Sequence, residues 1–494
     1  MKTLFLFLAV FSLSAAFSQD ITIVPGTEFK VDDGSHYNYY IGNDATGVYI
    51  KRTSTKGKGI YQLIQKLDPK TLAVIYSKGF ESERLESISY CFLKEGKVFI
   101  FSQKFNKAEK SQYFLLRQFS TTTGDMIGDV QQVASTACDP FYANNLHFNV
   151  SFSPDEKKFL ILDINPNNKE TAPINIYETA TLKKISTKNI ISSYKNSTIS
   201  SFNYRVDNSG ALFYLFYYMK DFDTKTKGLA VANMQSGMGQ AIITPLDVEK
   251  FELVNGAFQF VNNSLAFCGI FKEDKETKKH EEKGIGVYSF FIDAKTNDIT
   301  SKGFDYFSKD VKEKLTYKDG LIQESPAEKF YSFEEIFTVG ESVYLIESHS
   351  YAISGNSYTS YERELIVSKF NKTGKLEWMK IIPKFTADNM NNFNYVVRNN
   401  KVYLFYAEHP KNLERTTVDA YEPKKYVEIK NYNGSVLVCT TIDEKGNLNR
   451  SEVLRNVGWC YDPVSTNILL DKDNALLLRM INRASERYDK VILK

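Results

Sequence analysis

Two short segments combine aromatic rings, a carboxylate and a cysteine in a way that can support binding or catalysis. They read CDPFY at residues 138–142 and WCYDP at residues 459–463. Aromatic faces beside hydrogen-bond acceptors suit a sugar ring or a peptide. The candidate ligand-binding residues are therefore Asp139, Tyr142, Trp459, Tyr461 and Asp462, with Tyr351 from the segment SYAISGNSYTSYE. The alternative is structural, with rings packed between sheets and Asp-Pro forming turns.

A pair of carboxylates also suggests acid–base chemistry. Asp139 and Asp462, with Tyr142 or Tyr461, are the candidates for a hydrolase or lyase acting on an extracellular polymer. Two carboxylates perform such chemistry only when they lie within about 5–10 Å of each other. Because the two segments are far apart in the repeat described below, this enzyme is kept as the alternative, and no catalytic residue is assigned.

The histidines do not follow a metal-binding spacing. The chain has five, and none belongs to an HxH or HExxH motif. His349 and His409 can share a metal with a neighbouring Glu347 or Glu408, but solvated positions at the base of loops are the preferred interpretation. Residues 471–474, DKDN, begin like a calcium loop and lack its glycine and distal glutamate. We expect no metal and no cofactor.

Cysteine usage points to packing and not to a disulfide framework. The five cysteines are widely spaced and odd in number, and no CxxC occurs. Because a free cysteine commonly packs as a small hydrophobic residue, we expect buried thiols with at most one bridge.

Strand hairpins of two kinds alternate along the chain. The first kind, such as LIVSKFNKTGKLEWMKIIPK at 365–384, joins two alternating runs through a turn rich in Asp, Asn, Thr or Gly. The second kind, such as SISYCFLKEGKVFIFSQ at 87–103, has denser apolar runs, as expected of inner strands packed on both faces. One hairpin of each kind makes a four-stranded unit, the blade of a β-propeller. We call its strands A to D, from the inside outward.

The count of these units predicts a single all-β propeller of about eight blades over residues 19–494, with seven as the alternative. The last unit lacks its D strand. The segment ITIVPGTEFKV at 21–31 can supply that strand and so close the ring, covering an edge that otherwise invites aggregation.

Two turns resemble those of known propeller families. Ser153-Pro154-Asp155, followed by Glu156-Lys157-Lys158, resembles the S-P-D-G-K turn of TolB-like and WD40-like propellers, with Glu156 in place of the glycine. The run TGKLEW at 373–378 resembles the turn and tryptophan of the quinoprotein, PQQ-type, repeat. Each match covers one blade, so the resemblance implies a propeller and no quinone chemistry.

The connections between strands differ in length. The A–B and C–D turns, which we call the short-turn side, are short throughout, whereas the B–C and D–A connections, which we call the long-loop side, hold nearly all long segments. Long loops on a rigid scaffold are where binding concentrates. The sequence therefore predicts a binding module for a protein or a glycan that works through its long-loop side.

The N-terminus and the charge balance indicate the compartment and exclude some partners. Residues 1–18 have a lysine, an apolar core and small residues near Ser18, which predicts a secretory signal peptide. No other run is long and apolar enough to span a membrane. With 62 Lys and Arg against 59 Asp and Glu, the chain has no electrostatic footprint for nucleic acid. We expect a secreted or periplasmic monomer with no membrane insertion of the mature chain.

Overall fold

The structure is a computed structural model whose secondary structure is almost entirely β, with 71% strand and 4% helix. It describes residues 21–493 apart from the following internal segments: 32–34, 57–58, 84, 143–147, 164–170, 192–197, 222–225, 236–239, 249–250, 274–283, 316–330, 355–357, 388–392, 416–426, 428, 430–434, 456–459, 463–468, 471–474 and 483–484. Eight four-stranded antiparallel blades form a β-propeller, as predicted, and the alternative of seven is wrong.

The first half of the chain forms four blades. The chain starts with β1 (Ile21–Val24) and β2 (Phe29–Lys30), which belong to the last blade. Blade 1 contains β3 (Ser35–Asp44), β4 (Gly47–Lys56), β5 (Gly59–Leu67) and β6 (Val74–Ser82). Blade 2 contains β7 (Glu86–Lys94), β8 (Lys97–Asn106), β9 (Ser111–Ser120) and β10 (Gln131–Ala137). Blade 3 contains β11 (Phe148–Phe152), β12 (Lys158–Asp163), β13 (Thr171–Glu178) and β14 (Lys184–Ile191), and blade 4 contains β15 (Thr198–Val206), β16 (Leu212–Asp221), β17 (Thr226–Met234) and β18 (Ile242–Leu246).

The second half of the chain forms the other four blades. Blade 5 contains β19 (Phe251–Leu253) and β20 (Ala257–Val261), which both pair with β21 (Ser264–Glu273), then β22 (Ile285–Asp293) and β23 (Ile299–Tyr306). Blade 6 contains β24 (Tyr331–Val339), β25 (Ser342–Ser354), β26 (Tyr358–Phe370) and β27 (Leu376–Ala387). Blade 7 contains β28 (Asn394–Arg398), β29 (Lys401–Glu408), β30 (Val436–Ile442) and β31 (Leu448–Arg455), and blade 8 contains β32 (Cys460–Asp462), β33 (Leu469–Leu470), β34 (Ala475–Asn482) and β35 (Ser485–Leu493).

Short helices occur only in connections of the described chain. They are a 3-10 turn at Pro140–Tyr142, α1 (Lys309–Leu315) and α2 (Pro410–Arg415). No described helix has the length and apolar composition needed to cross a membrane. The predicted signal peptide, residues 1–18, lies outside the described residues and stays a prediction.

The chain divides into two compact units. Unit 1 holds residues 1–81, 350–365 and 382–494, which include blades 1, 7 and 8. Unit 2 holds residues 82–349 and 366–381, which include blades 2 to 5 and most of blade 6.

The hydrophobic cores lie between neighbouring blades. In unit 2, an aromatic cluster built around Phe101, Phe114, Phe148 and Phe159 joins blade 2 to blade 3. Further clusters join blade 3 to blade 4 and blade 4 to blade 5. In unit 1, corresponding clusters join blade 7 to blade 8 and blade 8 to blade 1. Large rings therefore fill the space between blades, which explains why Phe and Tyr are abundant.

The N-terminal strand completes blade 8, as predicted. Ile21, Thr22, Ile23 and Val24 of β1 pair antiparallel with the end of β35, from Leu493 to Lys490. The strand β2 pairs with the start of β35, where Phe29 stacks on Tyr488 at 6.0 Å between ring centroids. The first two strands that the structure describes are thereby paired with the last one.

The two turns that resemble known propeller repeats have the expected geometry. Glu156, which replaces the glycine, adopts a left-handed φ of 54°. This conformation is the one that glycine adopts at low cost, so the substitution carries local strain. In the second turn, Gly374 has a φ of 77°, and its carbonyl accepts a hydrogen bond from Ser289 Oγ at 2.5 Å. The edge of the Trp378 ring packs on Tyr344 within blade 6.

Candidate functional site

The first predicted segment, residues 138–142, forms a rigid turn with an exposed ring. Asp139 Oδ1 accepts a hydrogen bond from the Phe141 amide at 2.8 Å, and the buried Cys138 donates its amide to Lys110 O at 2.8 Å. The Phe141 side chain is 85% exposed, the highest value among the large hydrophobic side chains that the structure describes. Tyr142 ends the 3-10 turn, and its side chain is not described. Asp139 therefore makes the turn, as the structural alternative expected, while Phe141 faces solvent.

The second predicted segment is only partly a loop. Trp459 lies outside the described residues, but Tyr461 and Asp462 belong to β32 and pair with Met480 and Arg479 of β34. The sequence had placed both residues in a connection before the inner strand, and that expectation is wrong. Their side chains are not described, so their role in binding and the acid–base pairing of Asp462 with Asp139 stay predictions.

The segment that carries Tyr351 is also mostly strand. The sequence predicted a long B–C loop at 350–362, whereas β25 runs to Ser354 and β26 begins at Tyr358. Each of these two strands has 13 residues. The predicted loop is the far part of a long hairpin, which places Tyr351 on a hydrogen-bonded strand.

A buried carboxyl group lies on the same strand as Tyr351. Glu347 of β25 is 0% exposed, and neither of its oxygens has a hydrogen-bond partner of ordinary geometry among the described residues. Burial raises its pKa well above the usual value; the nearby Asn255 amide opposes this, and the Glu334 carboxylate adds to it. Glu347 is therefore held in its neutral form well above pH 4.

The surroundings of Glu347 come from blades 5 and 6. Asn255, which precedes β20, accepts the Ile270 amide on its side-chain oxygen at 2.9 Å, and its own carbonyl accepts Tyr288 Oη at 2.8 Å. The chain approaches so closely here that a Cβ on Gly269 would lie 2.2 Å from Asn255 O, which requires glycine. His349, two residues after Glu347, stacks on Tyr331 at 5.2 Å.

Burial also determines the state of the cysteines. The four that the structure describes are buried, and none forms a disulfide with another described residue. Cys268, which lies near Glu347, is completely buried, and this burial raises its pKa above that of an ordinary thiol. These features match the expected packed thiols.

The second histidine considered for a metal belongs to a hydrogen-bonded network. Glu408 Oε1 accepts hydrogen bonds from the His409 amide at 2.8 Å and from Asn412 Nδ2 at 2.7 Å. Arg450 pairs with Glu408 Oε2 at 3.5 Å, and burial nevertheless raises the pKa of Glu408 to about 7. Asn412 also bonds to both backbone groups of Val427, so the network fixes the base of the 409–435 connection. Among the described residues, no group of three or more His, Cys, Asp or Glu can hold a metal ion, and residues 471–474 lie outside them.

A groove that sequence analysis missed lies on the short-turn side of unit 2. It has a volume of about 710 Å³ and is formed by turns of blades 3, 4 and 5. We call it the turn groove. The residues that define its chemistry are Asp207, Gln235, Phe260, Asn263, Asp293 and Lys295. In the sequence these residues belong to ordinary strands and turns, and the only available signal was the presence of Asn and Asp in several of these turns.

Comparisons with known proteins agree with a propeller and go no further. No family model matches the chain, and no curated protein matches it. Similar solved structures include the β-propeller domain of the Trilobed protease from Pyrococcus furiosus, at 10% identity over 85% of this chain and 96% of that chain, with a TM-score of 0.38. A europium-containing methanol dehydrogenase is 9% identical over 94% and 85% of the two chains, with a TM-score of 0.39. The polysaccharide lyase Uly1 is 8% identical over 82% and 89%, also with a TM-score of 0.39. At these identities and scores no activity carries over, and the fold assignment stands on the pairing of the chain's own strands.

Proposed function

We propose that this chain is an exported β-propeller that binds a protein or a glycan through its long-loop side. The observation that carries the proposal is the distribution of connection lengths. Five A–B turns have two residues, at 45–46, 95–96, 262–263, 340–341 and 399–400. The longest connections, 307–330 and 409–435, both lie on the long-loop side. A rigid scaffold that places its variable segments on one side is the usual arrangement of a binding protein.

The exposed ring of Phe141 supports this proposal. Aromatic side chains dominate the energetics of protein interfaces and provide stacking surfaces for sugar rings. Phe141 lies in a D–A connection, and the Asp139 hydrogen bond holds its backbone in the 3-10 turn. An aromatic ring on a rigid support loses little conformational entropy when a partner binds, which favours affinity.

The long β25–β26 hairpin also supports a binding site on the long-loop side. Its strands have 13 residues each, whereas the paired β29 and β30 of the next blade have eight and seven. The hairpin therefore extends on the B–C side and presents Tyr351 on a hydrogen-bonded strand. The buried Tyr331–His349 stack packs at its base.

The experiment is a capture of partners from the envelope and growth medium of the producing cell by immobilised residues 19–494. The test variant replaces Phe141, Tyr351, Trp459 and Tyr461 by alanine. The control variant, Lys94→Ala with Lys401→Ala, changes the short-turn side at blades 2 and 7, away from the turn groove.

We expect a protein or glycan that the unmodified chain and the control retain and that the test variant loses. Retained material is then identified by mass spectrometry and titrated in purified form. Equal loss in both variants, with unchanged melting temperatures, would contradict a binding site on the long-loop side.

A further inference from the structure

The turn groove has the dimensions of a ligand site. Its volume of about 710 Å³ lies within the range of roughly 300–1,000 Å³ that is typical of small-molecule sites. Its walls are the A–B turns of blades 3, 4 and 5 and the C–D turns of blades 4 and 5. All of these turns belong to unit 2 and lie on its short-turn side.

Hydrogen bonds between blades hold the walls of the groove in place. Gln235 Nε2 donates to Ala294 O at 3.0 Å, and Asn233 Nδ2 donates to the same oxygen at 2.8 Å, which joins the C–D turns of blades 4 and 5. On the other flank, the Asp155 amide donates to Asn208 Oδ1 at 3.0 Å, which joins the turns of blades 3 and 4. A site that is rigid before binding loses less free energy in ordering its residues.

The chemistry of the lining selects a class of ligand. Asp207 and Asp293 provide carboxylate acceptors, and the Asn263 amide provides both donors and an acceptor. Gln235 provides only its Oε1 as an acceptor, because its Nε2 already donates to Asn233 and Ala294. Phe260, a partly buried ring whose edge contacts Phe213, adds an apolar surface. Vicinal hydroxyl groups both donate and accept hydrogen bonds, and the C–H face of a pyranose packs on an aromatic ring, so this lining matches a sugar.

The charged groups at the groove narrow the class of ligand further. The groove lining holds two carboxylates, Asp207 and Asp293, and one ammonium group, Lys295. Two further ammonium groups lie beside it, because Lys188 Nζ donates to Gln235 O at 2.9 Å and Lys158 Nζ donates to Asn208 O. The Thr296 and Lys295 amides lower the pKa of Asp293 by donating to its carboxylate, so Asp293 is charged at neutral pH. Charges of both signs are therefore close together at the groove, and neither a polyanion nor a polycation gains a large net attraction.

We propose that the turn groove binds a neutral oligosaccharide. The ligand lies with one sugar face against Phe260, and the carboxylates and amides bind its hydroxyl groups. This site is separate from the one proposed on the long-loop side and does not depend on it.

The test is an array of neutral gluco-, xylo-, manno- and galacto-oligosaccharides, with oligogalacturonate and a basic peptide as further probes, read with residues 19–494. Each sugar that binds is then titrated against Phe260→Leu and Asn263→Ala. Leucine preserves an apolar contact with Phe213 while removing the ring, and Asn263 makes no side-chain hydrogen bond to the described residues, so both variants keep the fold. Lys401→Ala, at the start of β29 next to the A–B turn of blade 7, is the matched control.

We expect a neutral oligosaccharide to bind, and its affinity to fall by at least about tenfold in each groove variant, which corresponds to about 1.4 kcal/mol. The control and the Phe141→Ala variant bind it unchanged. If no neutral oligosaccharide binds, or if the groove variants bind it as tightly as the unmodified chain, the proposal is wrong. Groove-dependent binding of oligogalacturonate or the basic peptide alone overturns the ligand class.

Discussion

Two buried polar residues occupy the same position in their strands, but one is charged and ion-paired and the other is an uncharged acid. Arg52 is the sixth residue of β4 in unit 1, and Glu347 is the sixth residue of β25 in unit 2. Arg52 donates to Glu486 at 3.0 Å, and Arg479 binds both oxygens of the same carboxylate. Glu347 has no such cation, and its carboxyl group is held neutral.

The neighbouring polar groups of Glu486 and Glu347, and not how deeply each is buried, decide whether the carboxyl group is charged. Burial acts to raise the pKa of Glu486, but hydrogen bonds from Arg479 and the charge of Arg52 lower it more, so the net change is downward. Burial raises the pKa of Glu347 because the Asn255 amide is too weak to compensate. One position in the repeat thus holds a charged network in one blade and a neutral acid in another.

The largest effect is expected from removing the strand that covers the charged network. In a chain that begins at residue 32, blade 8 loses β1 and β2, including Phe29, whose ring lies 5.6 Å from the Arg52 guanidinium. Ile21, Ile23 and Phe29 are partly buried, so the loss is on the order of 5 kcal/mol. Circular dichroism should show a markedly lower melting temperature, restored in part by a synthetic peptide of residues 20–31. An unchanged melting curve would mean that the strand does not stabilise the blade.

The next effect comes from breaking the network itself. Arg479→Met removes two hydrogen bonds to the buried carboxylate of Glu486, which keeps its ion pair with Arg52. Loss of one partner of a buried ion pair costs about 3 kcal/mol or more. The matched control, Arg455→Met, removes an exposed pair with Glu452 and should cost less than about 1 kcal/mol. Urea unfolding measures both, and equal losses would refute the role of burial.

The smallest effect is expected at the neutral acid and depends on pH. The pKa of Glu347 in the folded state lies above its unfolded value of about 4.3, so between these two values the folded state binds more protons. The contribution of Glu347 to the free energy of unfolding therefore falls as pH rises from the unfolded pKa towards the folded one. Glu347→Gln removes this loss. The melting temperature of the variant, relative to that of the unmodified chain, should therefore rise between pH 4 and pH 8. At pH 8 its free energy of unfolding should be higher than that of the unmodified chain by about 2 kcal/mol. A difference that does not change with pH would show that Glu347 is ionised when folded.

Sequence patterns predicted the blades well because those patterns are local. Alternating apolar residues and Asp, Asn or Gly turns specify each hairpin, and every predicted hairpin is present as a neighbouring strand pair. The errors occur where polar residues form strands. The Ser, Asn and Gly of residues 350–362 indicated a loop, but pairing between β25 and β26 continues through most of the segment. Tyr461 and Asp462 were misplaced for the same reason, since their strand is defined by its partner β34.

By itself, the sequence predicted about eight blades and the contrast between short turns and long connections, because hairpin and turn patterns are local in the chain. It also predicted that the N-terminal strand completes the last blade, because that blade lacked its outer strand, although the pairing joins residues far apart in the sequence. The tertiary structure decided which polar groups meet. Glu486 is ionised because two arginines lie beside it: Arg479 from the adjacent strand of the same hairpin, and Arg52, more than four hundred residues away. The turn groove exists because five turns from three neighbouring blades lie side by side, with Phe260 and Asn263 among residues that sequence alone identifies only as parts of a strand and a turn. Which charged groups pair and which turns meet depends on distances in space between residues that are often far apart in the sequence. Sequence patterns do not give those distances.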